Sequence, residues 1–244
     1  MLALVLVALA AAPEPSLAQK LQSLSQARVF VAHQSVGQNV LDGVSVLAHQ
    51  HGVSLRIEEG RGPLTAAGIV HAPAGKDGAP LAKLADFAAL LEGGPGAGAQ
   101  VALLELSYAD VTADTDVDAL FAAFKQRHHA LKLKFPGVKF LVATVGLTTV
   151  QRGLQGLVKN RLASGAFGER ENVKRHQLNQ LLRKQYAGAV FDLAAVEAGR
   201  CTFEREGEQW PCLREELTDD GGHLNALGRK EAGRAFVDAV VGAL

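Results

Sequence analysis

The chain has 244 residues, of which 48% are hydrophobic, and its 25 basic and 25 acidic side chains give a formal net charge of zero. This length and composition fit one α/β domain with a substantial core and exclude a disordered chain. The balanced charge argues against a nucleic-acid partner, which usually requires a basic surface.

Residues 1–18 have the features of an export signal. Residues 1–12 form an apolar run that is too short to span a bilayer, and Ser16 and Ala18 supply small residues for cleavage before Gln19. The run carries no Lys or Arg, so a retained membrane anchor or a frayed terminal helix is the alternative. We predict a signal peptide over 1–18, a mature domain over 19–244 and a secreted or periplasmic location, with no stable membrane insertion after cleavage.

A strand and a helix meet at the first polar motif. Residues 28–32 are apolar and rich in β-branched side chains, which predicts a buried parallel strand. Apolar residues then recur at every third or fourth position from Val36 to Leu47, which predicts a helix. Ser35 therefore falls at the carboxyl edge of the sheet, where open α/β sheets bind ligands and helix-start amides can stabilise an oxyanion. Ser35 and Gln38 also match a capping box, in which the hydroxyl only caps the helix.

The second polar motif is Thr-Asp-Asp-Gly-Gly-His-Leu-Asn, residues 218–225, which precedes the last predicted helix. Its two glycines allow a tight backbone path, so one loop can present the Asp220 carboxylate beside the His223 imidazole. The carboxylate can hold the Nδ1–H of the ring and leave Nε2 as a base. The alternative is a polar helix entry with Asn225 as the N-cap and His223 as an ordinary loop histidine.

A serine on the first strand–helix turn, combined with an Asp-x-x-His-Leu-Asn loop before the last helix, resembles a divergent subgroup of the SGNH (GDSL-type) hydrolase superfamily. The resemblance covers nearly all of the mature chain. It implies a single three-layer α/β/α, flavodoxin-like domain with a parallel sheet of about five strands. The Gly-Asp-Ser of the family is replaced here by His33-Gln34-Ser35, so the aspartate of that block is missing.

The resemblance also implies an activity. Ser35 would attack an ester carbonyl, His223 would carry the proton and Asp220 would orient His223, with no cofactor and no metal. Acyl groups on carbohydrate or small esters are the expected substrates. A carbohydrate O-acetyltransferase with the same three residues is one alternative, and a catalytically weak or inactive carbohydrate-binding protein of the same fold is another.

In families of this type, a glycine amide from the region of residues 58–80 helps to hold the oxyanion. Gly68 is the first candidate by position and Gly75 is the reserve, although either residue can serve as a turn glycine. The same region contains His71, which is either a substrate ligand or a solvated loop histidine. The region is rich in Gly, Ala and Pro, which predicts a loop.

The third family block, Gly-x-Asn-Asp, coincides with residues 107–110, Ser-Tyr-Ala-Asp. Only Asp110 matches, and we expect it to organise loops by accepting backbone N–H groups or to cap a helix. Ala109 stands where the family has an amide donor, and loss of one such donor typically costs about 10²–10³-fold in rate. Tyr108 and Asn39 are the candidate replacements for that donor.

The rest of the chain alternates predicted strands and helices, which favours one doubly wound parallel sheet. The predicted strands cover residues 53–57, 100–106, 138–145 and 189–193, and the predicted helices cover 81–91, 117–131, 172–186 and the C-terminal region. The long connection over 146–171 is predicted to be a lid or substrate loop. Its cations would meet an acidic sugar or a polar acyl ester, or form a solvated basic surface; they are Arg152, Lys159, Arg161 and Arg170.

The two cysteines, Cys201 and Cys212, fit an exported protein. A disulfide between them would close a short loop and contribute about 3 kcal/mol in the chain-entropy model. Two unpaired buried thiols are the alternative. The spacing does not match a metal site, which needs more ligands than this segment offers.

Overall fold

Six parallel strands form the main sheet of the structure, a computed structural model that describes residues 14–150 and 166–244. The strands are β1 (Arg28–His33), β2 (Ile57–Glu59), β3 (Gly68–Pro73), β4 (Val101–Leu104), β5 (Lys139–Ala143) and β6 (Val190–Phe191). Their spatial order is β2-β3-β1-β4-β5-β6, and each neighbouring pair is parallel. Without the edge strand β2, this is the order of a flavodoxin-like sheet.

The sixth strand corrects the predicted count of about five. Strand β3 lies inside the segment that its glycines and prolines predicted to be a loop, and the predicted strand at 53–57 is displaced to the short edge strand β2. Five of the six residues of β3 are buried, because it pairs with β1 on one side and β2 on the other. Its apolar run is too short to stand out among the flanking glycines.

Eight helices accompany the strands in the described residues. They are α1 (Leu17–Gln26), α2 (Ser35–Gln50), α3 (Pro80–Glu92), α4 (Pro95–Gly98), α5 (Val117–Lys134), α6 (Glu169–Gln185), α7 (Leu193–Ala198) and α8 (Ala226–Ala243). Two 3₁₀ turns cover Tyr108–Asp110 and Glu215–Leu217. An antiparallel hairpin, β7 (Thr202–Arg205) and β8 (Glu208–Pro211), forms a separate small sheet.

Side chains alternate along the strands between two hydrophobic cores. Val29 and Val31 of β1 join a core that includes α1, α2 and α8, whereas Phe30 and Ala32 join a core that includes α3, α5 and α6. Helices therefore cover both faces of the sheet, as a parallel sheet requires. The result is the predicted three-layer α/β/α architecture.

Helices α2 and α8 touch through glycine. A Cβ added to Gly43 of α2 would lie 1.8 Å from the carbonyl oxygen of Arg229 in α8, and one added to Gly233 would lie 2.7 Å from the backbone of Gly43. Only residues without a side chain permit this approach. Since α2 begins at Ser35 and α8 follows the His223 loop, the contact brings two distant parts of the chain together.

Helix α1 bears on the predicted export signal. Ser16 caps this helix in a capping box with Gln19, and Leu21 and Leu24 are fully buried. The predicted cleavage site after Ala18 therefore falls in the first turn of the helix. Residues 1–13 of the predicted signal lie outside the described residues, as do Arg152, Lys159 and Arg161 of the predicted lid. None of the helices in 14–150 and 166–244 has the length and apolarity to cross a membrane.

Cys201 and Cys212 are joined in a disulfide, with their Cα atoms 5.3 Å apart. The bond closes the base of the β7–β8 hairpin. The sequence analysis proposed the disulfide but did not predict the hairpin. The next residue, Leu213, donates its N–H to the carbonyl oxygen of Thr148 at 3.1 Å. The hairpin is thereby anchored to the loop that follows β5, on the path toward residues 218–225.

Candidate active site

Ser35 is the first residue of α2, directly after the turn that ends β1. The N-cap position belongs to Gln34, whose side chain makes no capping hydrogen bond. The Ser35 Oγ instead lies 2.9 Å from the His223 Nε2, across 188 positions of sequence. The capping-box alternative for Ser35 is therefore wrong, because the hydroxyl is directed to the imidazole.

The Asp220 carboxylate fixes both the ring and the loop of His223. Its Oδ2 lies 2.6 Å from the His223 Nδ1, and its Oδ1 accepts the N–H groups of Gly222 at 2.9 Å and His223 at 2.8 Å. Burial acts to raise the pKa of Asp220, but these hydrogen bonds outweigh burial and lower it to about 2. The carboxylate is therefore ionised over the whole physiological range and holds a proton on Nδ1, which leaves Nε2 toward Ser35.

Tyr108 lies against the histidine loop. Its ring is edge-on to the His223 ring at a centroid distance of 5.8 Å, and a Cβ added to Gly222 would lie 2.8 Å from the tyrosine ring. The second glycine of the motif is therefore required by the close approach of Tyr108. Burial raises the pKa of Tyr108 to about 12, so its hydroxyl stays protonated and can donate a hydrogen bond.

Asn39 connects the two halves of the site. It lies one turn after Ser35 on α2, and its side-chain oxygen accepts the N–H of Leu224 at 3.0 Å. Leu224 directly follows His223 and is 2% exposed. Asn39 was predicted as an oxyanion donor, but its observed hydrogen bond ties the helix that carries Ser35 to the loop that carries His223.

The prediction that the Gly68 amide helps to hold the oxyanion is wrong. It is the first residue of β3, where it pairs with Arg28 and donates its N–H to the carbonyl oxygen of Ala27 at 2.7 Å. It therefore lies at the amino edge of the sheet, opposite Ser35. The reserve residue, Gly75, lies at the carboxyl edge, but its N–H donates to the Asp86 carboxylate at 2.8 Å.

Asp110 is fully buried at the centre of a polar cluster. Its carboxylate accepts the N–H groups of Gly78 at 2.9 Å and Ser107 at 2.8 Å, and it pairs with Lys83 Nζ at 2.7 Å. Burial acts to lower the pKa of Lys83, but the charge of Asp110 outweighs burial and raises it. The cluster joins the loop after β3 to the turn after β4. Sequence reasoning missed Lys83, although a lysine four residues before Phe87 on the apolar stripe of α3 was a usable signal.

A second buried cluster surrounds the residue before Ser35. His33 Nε2 lies 2.9 Å from His71 Nδ1, and His33 Nδ1 lies 2.6 Å from the carbonyl oxygen of Gln34. Burial lowers the pKa of both histidines. The predicted role of His71 as a solvated loop residue is wrong, because it is buried in β3, and its role as a substrate ligand stays a prediction. Glu105 accepts the Gln34 N–H at 3.0 Å, and burial raises the pKa of Glu105 to about 7.

The Ser35 hydroxyl, the His223 imidazole and the Asp220 carboxylate thus form one hydrogen-bonded series at the carboxyl edge of an α/β/α sheet, an arrangement in which a base can activate a hydroxyl. In the part of the chain that the structure describes, no group of three or more His, Cys, Asp or Glu residues is arranged to hold a metal ion.

Comparison with known proteins identifies the fold of this chain. No protein-family model matches the chain, and no curated protein matches its sequence. A Streptococcus pneumonia protein, described provisionally as a platelet activating factor, is 15% identical with a TM-score of 0.53 over 91% of this chain and 90% of that one. TesA is 14% identical with a TM-score of 0.53 over 88% and 99% of the two chains. The chain therefore has the SGNH (GDSL-type) hydrolase fold.

Proposed function

We propose that this protein is an exported serine esterase of the SGNH type. The observation that carries the proposal is the continuous chain from the Ser35 hydroxyl to the His223 imidazole at 2.9 Å and on to the Asp220 carboxylate at 2.6 Å. A hydroxyl becomes a useful nucleophile when an adjacent base removes its proton and a third group orients that base. The fold also supports the proposal, because the structural neighbours of this chain are SGNH hydrolases.

In the first step, Ser35 Oγ attacks the ester carbonyl as its proton passes to His223 Nε2. Asp220, already ionised, stabilises the imidazolium and keeps the ring oriented. The tetrahedral intermediate collapses when His223 returns the proton to the leaving alcohol oxygen, which leaves an acyl group on Ser35. A water molecule then repeats the same sequence, and the acid is released.

The oxyanion donors are the part of the site that departs furthest from the family resemblance. Ala109 offers no side-chain donor, and its own N–H donates to Ser107 Oγ at 3.2 Å. The N–H of Ser35, at the positive end of α2, is one donor. The protonated hydroxyl of Tyr108 is the other candidate, because its ring lies beside His223. If it serves this purpose, Tyr108→Phe should lower kcat by about 10²–10³-fold.

Carbohydrate acyl esters or small esters are the proposed substrates, and a carbohydrate O-acetyltransferase with the same three residues is the second candidate. Both reactions share the acyl-enzyme and differ only in whether water or a sugar hydroxyl accepts the acyl group. Product analysis of an acetyl ester with and without a sugar acceptor separates them. The third candidate, an inactive carbohydrate-binding protein, is favoured by Ala109 at the position of the family's amide donor.

Covalent labelling with a fluorophosphonate tests the proposal most directly. The wild-type protein should be labelled, Ser35→Ala should not be labelled, and the exposed-helix control Ser23→Ala should be labelled as the wild type is. Labelling that survives Ser35→Ala would remove Ser35 as the nucleophile. No labelling of the wild type would favour the binding protein.

Export is tested separately, by sequencing the amino terminus of the protein recovered outside the cytoplasm. We expect the mature chain to begin at Gln19, which preserves Leu21 and Leu24 of α1 in the core. A chain that retains residues 1–18, or that stays in the cytoplasm, would contradict the signal-peptide proposal without affecting the esterase proposal.

A further inference from the structure

Asp77 carries a carboxylate that two buried donors hold in place. It lies in the loop between β3 and α3, and its Oδ1 accepts hydrogen bonds from Lys83 Nζ at 2.7 Å and Ser107 Oγ at 2.9 Å. The Lys83 side chain is completely buried and Ser107 is 1% exposed, whereas the Asp77 side chain is 44% exposed. One oxygen of Asp77 is therefore anchored in the interior of the protein, while the side chain reaches the surface.

The Asp77 loop is fixed beside the reacting groups. The Gln34 side chain, next to Ser35, donates to the carbonyl oxygens of Ala74 at 2.8 Å and Gly75 at 2.7 Å. Gly78 donates its N–H to Asp110 at the other end of the loop. The loop thus spans from the residue that precedes the nucleophile to the turn that contains Tyr108.

The charge of Asp77 acts on the site. Burial acts to raise its pKa, but the hydrogen bond and charge of Lys83, together with Ser107 and His223, outweigh burial and lower it. Asp77 is therefore ionised, and its partner Ser107 directly precedes Tyr108, whose ring centroid lies 5.8 Å from that of His223. Because His223 delivers its proton to the leaving alcohol, a group on this side of the site faces the alcohol part of an ester.

The structural role of Asp77 uses one carboxylate oxygen and leaves the other open. Lys83 already has a fully buried partner in Asp110, and Oδ2 of Asp77 accepts no hydrogen bond from residues 14–150 or 166–244. A carboxylate oxygen that is held rigid and left open is preorganised to accept a hydrogen bond from a bound molecule.

We propose that Asp77 determines the specificity of the esterase by binding the alcohol part of the substrate through its free carboxylate oxygen. The inference rests on the proposed esterase function. Asp77 selects esters whose alcohol part carries hydrogen-bond donors or positive charge, such as a hydroxyl-rich or ammonium-bearing alcohol. The same carboxylate disfavours esters of anionic alcohols. An acidic sugar, which the basic residues of the 146–171 connection suggested, is thereby a poor substrate.

The experiment compares kcat/KM for four acetyl esters by pH-stat titration, in the wild type and in Asp77→Asn. Acetylcholine carries positive charge, its isostere 3,3-dimethylbutyl acetate carries none, glycerol monoacetate carries hydroxyl donors, and 2-acetoxyethanesulfonate carries negative charge. Asparagine retains an acceptor oxygen for Lys83 and Ser107 but loses the charge. Each result is a ratio of two substrates on one preparation, so a misfolded fraction cancels.

We expect the wild type to prefer acetylcholine or glycerol monoacetate over the neutral isostere by about tenfold, and to disfavour the sulfonate by a similar factor. In Asp77→Asn these ratios should fall to within about twofold of unity. Asp86→Asn is the matched control. Asp86 anchors the same loop through Gly75, and this substitution removes the same charge as Asp77→Asn. Its ratios should remain those of the wild type.

The outcomes are distinct. A change confined to the choline ratio identifies positive charge as the recognised feature, and a change confined to the glycerol ratio identifies hydroxyl donors; both support the proposal. Ratios that Asp77→Asn leaves unchanged, or that Asp86→Asn lowers equally, overturn it while the esterase proposal stands. If the wild type hydrolyses none of the four esters and resists fluorophosphonate labelling, the esterase proposal fails and this inference fails with it.

Discussion

Replacing Asn39 by leucine tests whether the link between α2 and the histidine loop sets the activity. Leucine has a similar volume but no acceptor, so the Leu224 N–H would remain buried without a partner. A buried donor left unsatisfied costs about 1–3 kcal/mol, which is the expected fall in the free energy of unfolding. The loop that carries His223 would also lose its only side-chain tie to α2 other than the Ser35–His223 hydrogen bond, within the described residues.

A displacement of His223 by about 1 Å would be enough to lower the rate about 10²-fold. We therefore expect kcat of Asn39→Leu on a p-nitrophenyl ester to fall by roughly that factor, with a smaller change in KM. Asn39→Asp keeps an acceptor oxygen for the Leu224 N–H and is expected to recover a large part of the lost kcat. Urea denaturation of each variant gives the accompanying change in stability.

Asn179 offers a matched control for stability alone. It is fully buried and exchanges two hydrogen bonds of 2.8 Å with the backbone of Val145, so Asn179→Leu should lower stability at least as much as Asn39→Leu. It does not contact Ser35 or His223, so its kcat should be retained at temperatures where it is folded. If Asn39→Leu loses stability but keeps kcat, the link does not position the histidine and the reasoning is refuted.

Three further predictions concern stability. Burial raises the pKa of Glu105 from 4.5 to about 7, so the folded protein keeps a proton that the unfolded chain releases above pH 4.5. The stability that this bound proton provides is complete below pH 4.5, and about 3 kcal/mol of it is lost as the pH rises to about 7. Glu105→Gln should remove that loss in urea titrations across this pH range. An unchanged pH dependence in the variant would contradict the prediction. Removing the disulfide with Cys201→Ser and Cys212→Ser should lower the free energy of unfolding by about 3 kcal/mol, and equal stability of the double variant and the wild type would count against the bond. Gly43→Ala places a methyl group against the α8 backbone and should cost about 3 kcal/mol by calorimetry, whereas Gly242→Ala, which meets nothing within 4 Å, should be neutral.

Much of the fold follows from local patterns in the sequence. The apolar run before Ser35 and the spacing of valines after it predicted β1 and α2, and both lie where expected. The three-layer parallel architecture followed from the alternation of such segments. Strand β3 was missed because its identity depends on two neighbouring strands, which sequence periodicity does not reveal. The hairpin between the cysteines was missed because its short strands are only partly buried.

The sequence predicted only those parts of the site whose residues lie in recognisable motifs. Asp220 and His223 belong to a motif whose chemistry is specific, whereas Ser35 was predicted from its place on the first strand–helix turn, and the structure brings the three residues within hydrogen-bonding distance. Gly68 was chosen by position alone, and the error in β3 moved it to the opposite edge of the sheet. Lys83 and Asp77 were given no role, because the partners that fix their roles, Asp110 and Ser107, lie in another segment of the chain.

The glycine contact between α2 and α8 has a consequence for the timing of activity. Helix α2 is synthesised before α8, so the imidazole can reach the serine only after the residues up to α8 have emerged. A nascent chain that has not yet reached residue 223 contains the Ser35 hydroxyl without the imidazole that it contacts in the folded protein. Any chemistry that needs the Ser35–His223 pair therefore has to wait until α8 docks on α2.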